Sequence, residues 1–156
     1  MRQIDHIVVH CTAGSQKQTA ADVIRYHTSK EPGCLGWNVP GYHYIINPDG
    51  TIVNAVPIEQ ISNGVRGKNS NIINVAYIGG VDVTKKGLPA VDNRTPAQKR
   101  ALRSLLKELK FKFPHADILG HRDLASEDKN HNGIIDPWER CKECPCFDAI
   151  PEYCDL

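Results

Sequence analysis

Short apolar runs along the chain predict the strands of a central sheet. Residues 4–11 (IDHIVVHC) and 72–80 (IINVAYIGG) are apolar, β-branched runs, which is typical of buried strands. Residues 42–56 place two such runs around the turn sequence NPDG and indicate a hairpin. Residues 116–123 (ADILGHRD) predict a further short strand, which ends at His121.

Helical periodicity appears in two longer segments, and each begins at a threonine that can cap it. In residues 19–30, Val23 and His27 fall at helical spacing. Residues 95–114 carry a proline at the first helical position and one apolar stripe, formed by Ala101, Leu102, Leu105, Leu106 and Leu109. The order β-α-β-β-β-α-β predicts an α/β fold, a single domain over residues 1–156 with a mixed central β-sheet flanked by helices.

Composition and charge narrow the range of partners. The 156 residues are 40% apolar and 24% charged, which is ordinary for a globular protein. A formal net charge of +1 offers no concentrated basic face, so we expect no nucleic acid and no membrane as partner. We also expect a monomer. The first residues lack the apolar run of a signal peptide, so the chain is expected to stay in the cytoplasm until it is released, unless a signal has been removed.

Three of the six cysteines, Cys141, Cys144 and Cys146, fall close together near the end of the chain. A disulfide staple, a redox pair and a metal site each fit such a cluster. A four-cysteine zinc site would need a second C-x₂-C, which the sequence lacks, so a zinc site here must include histidines. If the protein works outside the cell, two disulfides with no preferred pairing are conceivable among Cys34, Cys141, Cys146 and Cys154.

Two histidines at predicted strand ends can complete a metal site. A catalytic zinc needs three protein ligands and an open fourth position, and His10, His121 and Cys144 would supply the three. A rigid sheet can hold ligands that lie this far apart in sequence. However, seven histidines allow many such triples, and a hydrogen-bonded, partly buried histidine is the simpler interpretation of any one of them.

Six short motifs follow one another along nearly the whole chain: VVHCTAG around His10, GYHYII at 41–46, IGGVD at 78–82, TPAQ at 95–98, GHRD around His121 and KECPCFD at 142–148. Each motif alone is weak. In this order they resemble the zinc-dependent N-acetylmuramoyl-L-alanine amidases of type 2. That family includes phage lysozymes of the amidase type and peptidoglycan recognition proteins.

The resemblance implies an enzyme that acts at the bacterial cell wall on peptidoglycan or muropeptides. The bond it implies is the amide between N-acetylmuramic acid and the L-alanine of the stem peptide. It implies zinc bound by His10, His121 and Cys144, with catalytic assistance from Tyr42 and Lys142. Zinc would polarise the carbonyl and activate water. Tyr42 would hold or deprotonate that water, and Lys142 would stabilise the oxyanion.

Two other functions stay open. A non-catalytic peptidoglycan-binding module would share the fold, although such modules typically lose the cysteine ligand that this chain keeps. A calcium-dependent interaction protein with a purely structural zinc would need a closed fourth ligand, such as Cys141 or Cys146.

The sequence differs from the family pattern at two places that bear on substrate binding. Relatives often read SIG where residues 72–74 read IIN, and they often carry a histidine in the loop where residues 62–64 read SNG. Two ring-bearing side chains are candidates for substrate binding. His27 can line the groove, and Trp37 can stack on sugar or peptide, with loop packing as the alternative for Trp37.

An insertion at residues 128–139 (DKNHNGIIDPWE) matches the calcium loop D-x-[DN]-x-[DN]-G-x₅-E at every constrained position. The match predicts a lone structural calcium site that fixes the segment leading to Lys142 and Cys144. A solvated turn, in which Asx side chains cap backbone groups, is the alternative. The predicted ligands are Asp128, Asn130, Asn132, the carbonyl of Ile134, Asp136 and Glu139.

Overall fold

Five strands form one mixed sheet in the computed structural model, which describes residues 2–156. The strands are β1 (His6–Cys11), β2 (Tyr44–Ile46), β3 (Ile52–Asn54), β4 (Ile72–Tyr77) and β5 (Asp117–Gly120). Their order across the sheet is β3-β2-β4-β1-β5, and every neighbouring pair is parallel except the hairpin β2–β3. The predicted mixed sheet is thereby confirmed.

Helices flank this sheet, as the periodicity predicts. They are α1 (Ala20–Thr28), α2 (Pro96–Lys112), α3 (His121–Ala125) and α4 (Ala149–Glu152), with 3₁₀ turns at Asn69–Asn71 and Pro137–Glu139. The hydroxyl oxygens of Thr19 and Thr95 accept hydrogen bonds from backbone N–H groups of the first turns of α1 and α2, so both predicted caps are present. Within residues 2–156, no helix has both the length and the apolarity that a bilayer crossing requires.

The two faces of the sheet carry different helices. Ile7 and Val9 of β1 pack in one cluster with the leucine stripe of α2, whereas Ile45 of β2 packs with α1. Strand side chains alternate between faces, so His10, which follows Val9, lies on the face opposite α2. The face opposite α2 therefore carries His10, the candidate metal ligand of β1.

The last strand is shorter than predicted, and this corrects the placement of His121. β5 ends at Gly120, and His121 is the first residue of α3. The Asp123 carboxylate accepts a hydrogen bond from the Gly120 N–H at 2.7 Å, which caps a helix at this point. His121 therefore leaves the sheet on a helical turn directly beyond a strand end.

Candidate metal centre

Three side chains converge at one edge of the sheet: His10, His121 and Cys144. Each offers one donor atom, and these atoms all lie within 4.8 Å of one another. His10 Nδ1 lies 3.1 Å from His121 Nδ1 and 3.9 Å from Cys144 Sγ. Among the residues that the structure describes, this is the one group of three or more His, Cys, Asp or Glu side chains that is arranged to hold a metal ion.

The backbone delivers the third side chain to the other two. The Arg122 N–H donates to the Cys144 carbonyl at 2.8 Å, so α3 is tied to the C-terminal segment beside His121. The Cys11 N–H donates to Cys144 Sγ at 3.2 Å, which ties the same segment to β1 beside His10. The donor set is thus built from three separate parts of the chain, joined by hydrogen bonds.

Both histidines are held neutral. Burial lowers the pKa of His10 to about 4, and burial together with the nearby His10 lowers the pKa of His121 to about 3. Neutral imidazole is the form that binds metals. Two imidazole nitrogens and one thiol sulfur are donors that zinc prefers, and three donors leave a fourth position open. The residues present therefore fit a catalytic zinc.

Tyr42 stands over this site. Its ring centroid lies 5.1 Å from that of His10 and 5.2 Å from that of His27. Burial raises the pKa of the Tyr42 hydroxyl above its ordinary value. Burial therefore favours the protonated form of this hydroxyl.

A groove of about 730 Å³ opens beside the three donors. Its lining includes His121, Lys142, Trp37 and the loop from Asn63 to Asn69. Of the two substrate-binding candidates, Trp37 lies in this groove. His27 does not line it: the ring is buried, stacks on Trp37 with centroids 5.0 Å apart, and accepts a hydrogen bond from the backbone N–H of residue 41. The His27 ring thus packs against the rings of both Trp37 and Tyr42.

Asn74 and Gly64 also belong to the site, and motif analysis identifies them only as departures from the family pattern. Asn74 Oδ1 lies 2.8 Å from His10 Nε2, and both side chains are buried. An ideal Cβ at Gly64 would lie 2.3 Å from Asn74 Cγ. The two departures therefore meet at one point, directly behind a candidate metal ligand.

The remaining cysteines do not join the donor set. All six cysteines, each within the described residues, are free thiols. Cys146 Sγ lies 3.7 Å from Cys11 Sγ, on the side of Gly80, and Cys141 Sγ donates to the Ala125 carbonyl. A closed site with a second thiolate from Cys141 or Cys146 is therefore not the arrangement present.

The insertion at residues 128–139 closes on itself through hydrogen bonds. The Asp128 carboxylate accepts from the Asn132 and Gly133 N–H groups, and the amides of Asn130 and Asn132 donate to Asp136 Oδ2. Glu139 is buried, and its carboxylate accepts from three backbone N–H groups, those of Lys129, Asn130 and Asp136. These contacts are those of a turn capped by Asx side chains, the alternative to a calcium site.

Comparison with known proteins agrees with this geometry. Residues 1–139 match the family model described as N-acetylmuramoyl-L-alanine amidase. The endolysin of Klebsiella phage KP32 is 34% identical over 149 residues, which cover 94% of this chain and 83% of the endolysin. The chain belongs to the N-acetylmuramoyl-L-alanine amidase family.

Solved structures show the same fold. The N-acetylmuramoyl-L-alanine amidase LysC from Clostridium intestinale URNW aligns with a TM-score of 0.69 at 24% identity, covering 97% of this chain and 82% of LysC. Drosophila PGRP-LB in complex with tracheal cytotoxin aligns with a TM-score of 0.64 at 18% identity, covering 97% of this chain and 80% of PGRP-LB. The predicted amidase and recognition-protein fold is confirmed.

Proposed function

We propose that the protein is a zinc-dependent peptidoglycan hydrolase that acts at the bacterial cell wall. Its bond is the amide between the lactyl group of N-acetylmuramic acid and the L-alanine of the stem peptide. The observation that carries the proposal is the convergence of His10 Nδ1, His121 Nδ1 and Cys144 Sγ beside an open groove. Three donors, rather than four, suit a site that does chemistry.

The roles of the surrounding side chains follow from their positions. When zinc is bound, it supplies a Lewis acid for the amide carbonyl and makes water nucleophilic near neutral pH. Tyr42, which keeps its proton, donates a hydrogen bond into the site and orients the attacking water. Lys142 lines the groove beside His121 and places a positive charge near the oxyanion that forms at the amide carbon.

The groove suits an anionic peptide attached to a sugar. Its described lining carries Arg66, Lys68 and Lys142 and no acidic side chain. A stem peptide carries free carboxylates, which such a lining attracts. Trp37 offers a ring face at the same groove, on which a sugar or an alanine methyl group can pack.

A non-catalytic binding module is the second candidate, because it would use the same groove. The retained thiol of Cys144, within the donor group, favours the hydrolase. A structural zinc is less well supported, because the thiols of Cys141 and Cys146 contact other parts of the chain.

The test is digestion of purified peptidoglycan, with mass spectrometry of the products. Wild type and a Cys154→Ala control, which alters an exposed thiol outside the donor group, are expected to release free stem peptides that begin with alanine. Cys144→Ala and chelator-treated wild type are expected to release none, and added zinc restores only the latter. Intact sugar–peptide linkages in zinc-replete wild type would overturn the hydrolase, and sedimentation with insoluble peptidoglycan would then test the binding module.

We propose calcium as a structural cofactor of the loop at residues 128–139. Hydrogen bonds link Asp128, Asn130, Asn132 and Asp136, and the required glycine, Gly133, adopts φ +86° at the sharp turn. The two amides would turn their oxygens, rather than their NH₂ groups, toward the ion. The ordered loop would then hold the segment that carries Lys142 and Cys144.

A further inference from the structure

Asn74 lies at the centre of a buried chain of hydrogen bonds that ends at His10. His43 Nδ1 accepts a hydrogen bond from the Asn74 N–H at 2.9 Å, so uncharged His43 carries its proton on Nε2. This proton faces the Gln60 carbonyl, 3.0 Å from Nε2, because Arg2 Nη2, 3.2 Å from the same nitrogen, can only donate. The Ser62 hydroxyl oxygen lies 3.0 Å from His43 Nδ1.

The orientation of the Asn74 amide is fixed on the side away from His10. Asn69 Oδ1 accepts from the Val65 N–H at 2.8 Å and lies 3.4 Å from Asn74 Nδ2, which also lies 2.9 Å from Ser62 Oγ. The NH₂ group of Asn74 therefore faces Asn69 and Ser62, and the amide oxygen Oδ1 faces His10, at 2.8 Å from Nε2. An amide oxygen can only accept, so His10 carries its proton on Nε2 and leaves Nδ1 bare.

That tautomer is the one the donor set requires. His10 Nδ1, not Nε2, faces His121 Nδ1 and Cys144 Sγ. If the Asn74 amide were reversed, its NH₂ group would demand a lone pair on His10 Nε2, and the proton would move to Nδ1. A protonated Nδ1 cannot bind a metal.

These side chains are shielded from water. Asn74, His43 and Ser62 are each 0% exposed, and His10 is 1% exposed. The Asn74 amide occupies the space beside Gly64, because a Cβ there would lie 2.3 Å from Cγ, 2.4 Å from Oδ1 and 2.6 Å from Nδ2 of Asn74. Position 64 must therefore lack a side chain for Asn74 to reach His10.

We propose that Asn74 is a positioning residue for the metal ligand His10. Gly64, which has no side chain, leaves the room that the Asn74 side chain needs. The inference rests on the zinc ligand set proposed above. It gives a joint function to Asn74 and Gly64, one from each of the two departures from the family pattern.

The first measurement is made on the metal-free protein, by nitrogen chemical shifts of the histidine rings. Wild type is expected to hold His10 as the Nε2–H tautomer. Asn74→Leu, which has similar volume and no acceptor, is expected to give mixed tautomers. Zinc affinity, measured by competition with a chromophoric chelator, is expected to fall about 10- to 100-fold in this variant, and the visible bands of cobalt-substituted protein are expected to shift.

Two variants separate positioning from packing. Asn74→Asp keeps an acceptor toward His10 and is expected to hold zinc at least as tightly as wild type, because a carboxylate raises the basicity of the ligand. Gln98→Leu removes another buried amide, which donates to the Ile46 and Ile78 carbonyls at 3.2 Å and 2.9 Å. It is expected to lower the melting temperature and leave zinc affinity and the cobalt bands unchanged.

Gly64→Ala provides a route that leaves Asn74 itself intact. The added methyl group must displace the Asn74 amide, so zinc affinity is expected to fall in the same direction as in Asn74→Leu. If Asn74→Leu does not fold, the Gly64→Ala result decides. A zinc affinity within twofold of wild type, with an unchanged His10 tautomer, would overturn the inference.

Zinc binding by wild type and by the variants distinguishes failure of this inference from failure of the proposed function. If wild type binds no zinc, or binds it equally well after His10→Ala, the ligand set itself is wrong. If wild type binds zinc through His10 while Asn74→Leu and Gly64→Ala bind it as tightly, only the role of Asn74 is lost.

Discussion

His10 Nδ1 lies 3.1 Å from His121 Nδ1, although 111 positions separate the two residues in sequence. Because His10 Nε2 donates to Asn74, its Nδ1 has no proton, and the short contact needs a proton from His121 or a cation between the rings. Two ring nitrogens at this distance are the geometry that one metal ion binding both rings would produce.

The number of thiolates on the metal is the first prediction. Cobalt-substituted protein is expected to show charge-transfer absorption of one thiolate, lost in Cys144→Ser and kept in Cys146→Ser. The reason is geometric, since Cys146 Sγ faces Cys11 Sγ and the Gly80 carbonyl. The hydrogen bond with Cys144 also raises the pKa of Cys11 to about 12, which keeps that thiol protonated. Absorption of two thiolates would contradict a catalytic site.

Tyr42→Phe is expected to lower kcat by roughly 10²- to 10³-fold, because the variant loses a hydrogen-bond donor directed at the reacting groups. Zinc affinity should stay the same, since the hydroxyl is not a ligand. The measurement is a digestion rate at saturating muropeptide together with a zinc titration. As a control, Tyr26→Phe changes an exposed hydroxyl and should leave the rate unchanged. A rate equal to wild type in Tyr42→Phe would remove this residue from the mechanism.

Trp37→Ala is expected to raise KM for muropeptides about 3- to 10-fold and to change kcat less, because the ring lines the groove and is not in the donor group. Trp138 serves as the matched control. It is 64% exposed on the insertion and does not line the groove, so Trp138→Ala should leave KM unchanged. Equal KM values in wild type and Trp37→Ala would assign Trp37 to loop packing.

The metal-free protein is expected to lose stability in mild acid. Burial lowers the pKa of both His10 and His43 from 6.5 to about 4. The unfolded chain therefore binds protons below pH 6.5 while the folded chain does not, so stability falls as the pH drops from 6.5 to about 4. Each histidine contributes roughly 3 kcal/mol to this loss. His121, whose pKa is lowered to about 3, extends the fall below pH 4.

Urea unfolding across that pH range measures the effect. His115 is exposed, so His115→Gln should give the same curve as wild type. Stability that stays constant from pH 6.5 to 4 would show that neither His10 nor His43 is held neutral by the fold.

Calcium is expected to bind the loop at residues 128–139 with a Kd of roughly 10⁻⁵ to 10⁻³ M, since only three carboxylates contribute charge. Exposed Trp138 lies within the loop and reports binding by its fluorescence. Asp128→Ala should abolish the response, and Glu127→Ala, which removes an adjacent exposed acid outside the loop motif, should not. A wild-type protein with no calcium response would leave the hydrogen-bonded Asx turn as the complete description of the loop.

The parts of the fold that the sequence predicts are those in which burial leaves a regular pattern of apolar residues along the chain. Helix α2 and strand β1 are predicted within two residues at each end, because α2 buries one face and β1 is buried on both faces. Helix α3 is too short to show a period and depends on a single side-chain cap from Asp123, so His121 is predicted on a strand. Such a contact has no signature in hydrophobic patterning.

Some residues of the site are also predictable from sequence, and others are not. His10, Tyr42 and Cys144 lie in motifs, so the resemblance identifies them. Asn74 is 64 positions from His10 and reaches it only because β4 lies beside β1 in the sheet. Long-range pairing of this kind depends on sheet order, which the sequence pattern leaves open.

The contact between Gly64 and Asn74 also couples the two positions under mutation. An ideal Cβ at position 64 falls 2.3 Å from Asn74 Cγ, so a side chain at position 64 and the present Asn74 exclude each other. A residue larger than glycine at position 64 therefore requires a smaller or displaced side chain at position 74. The effects of paired substitutions at these two positions on zinc binding are expected to be non-additive.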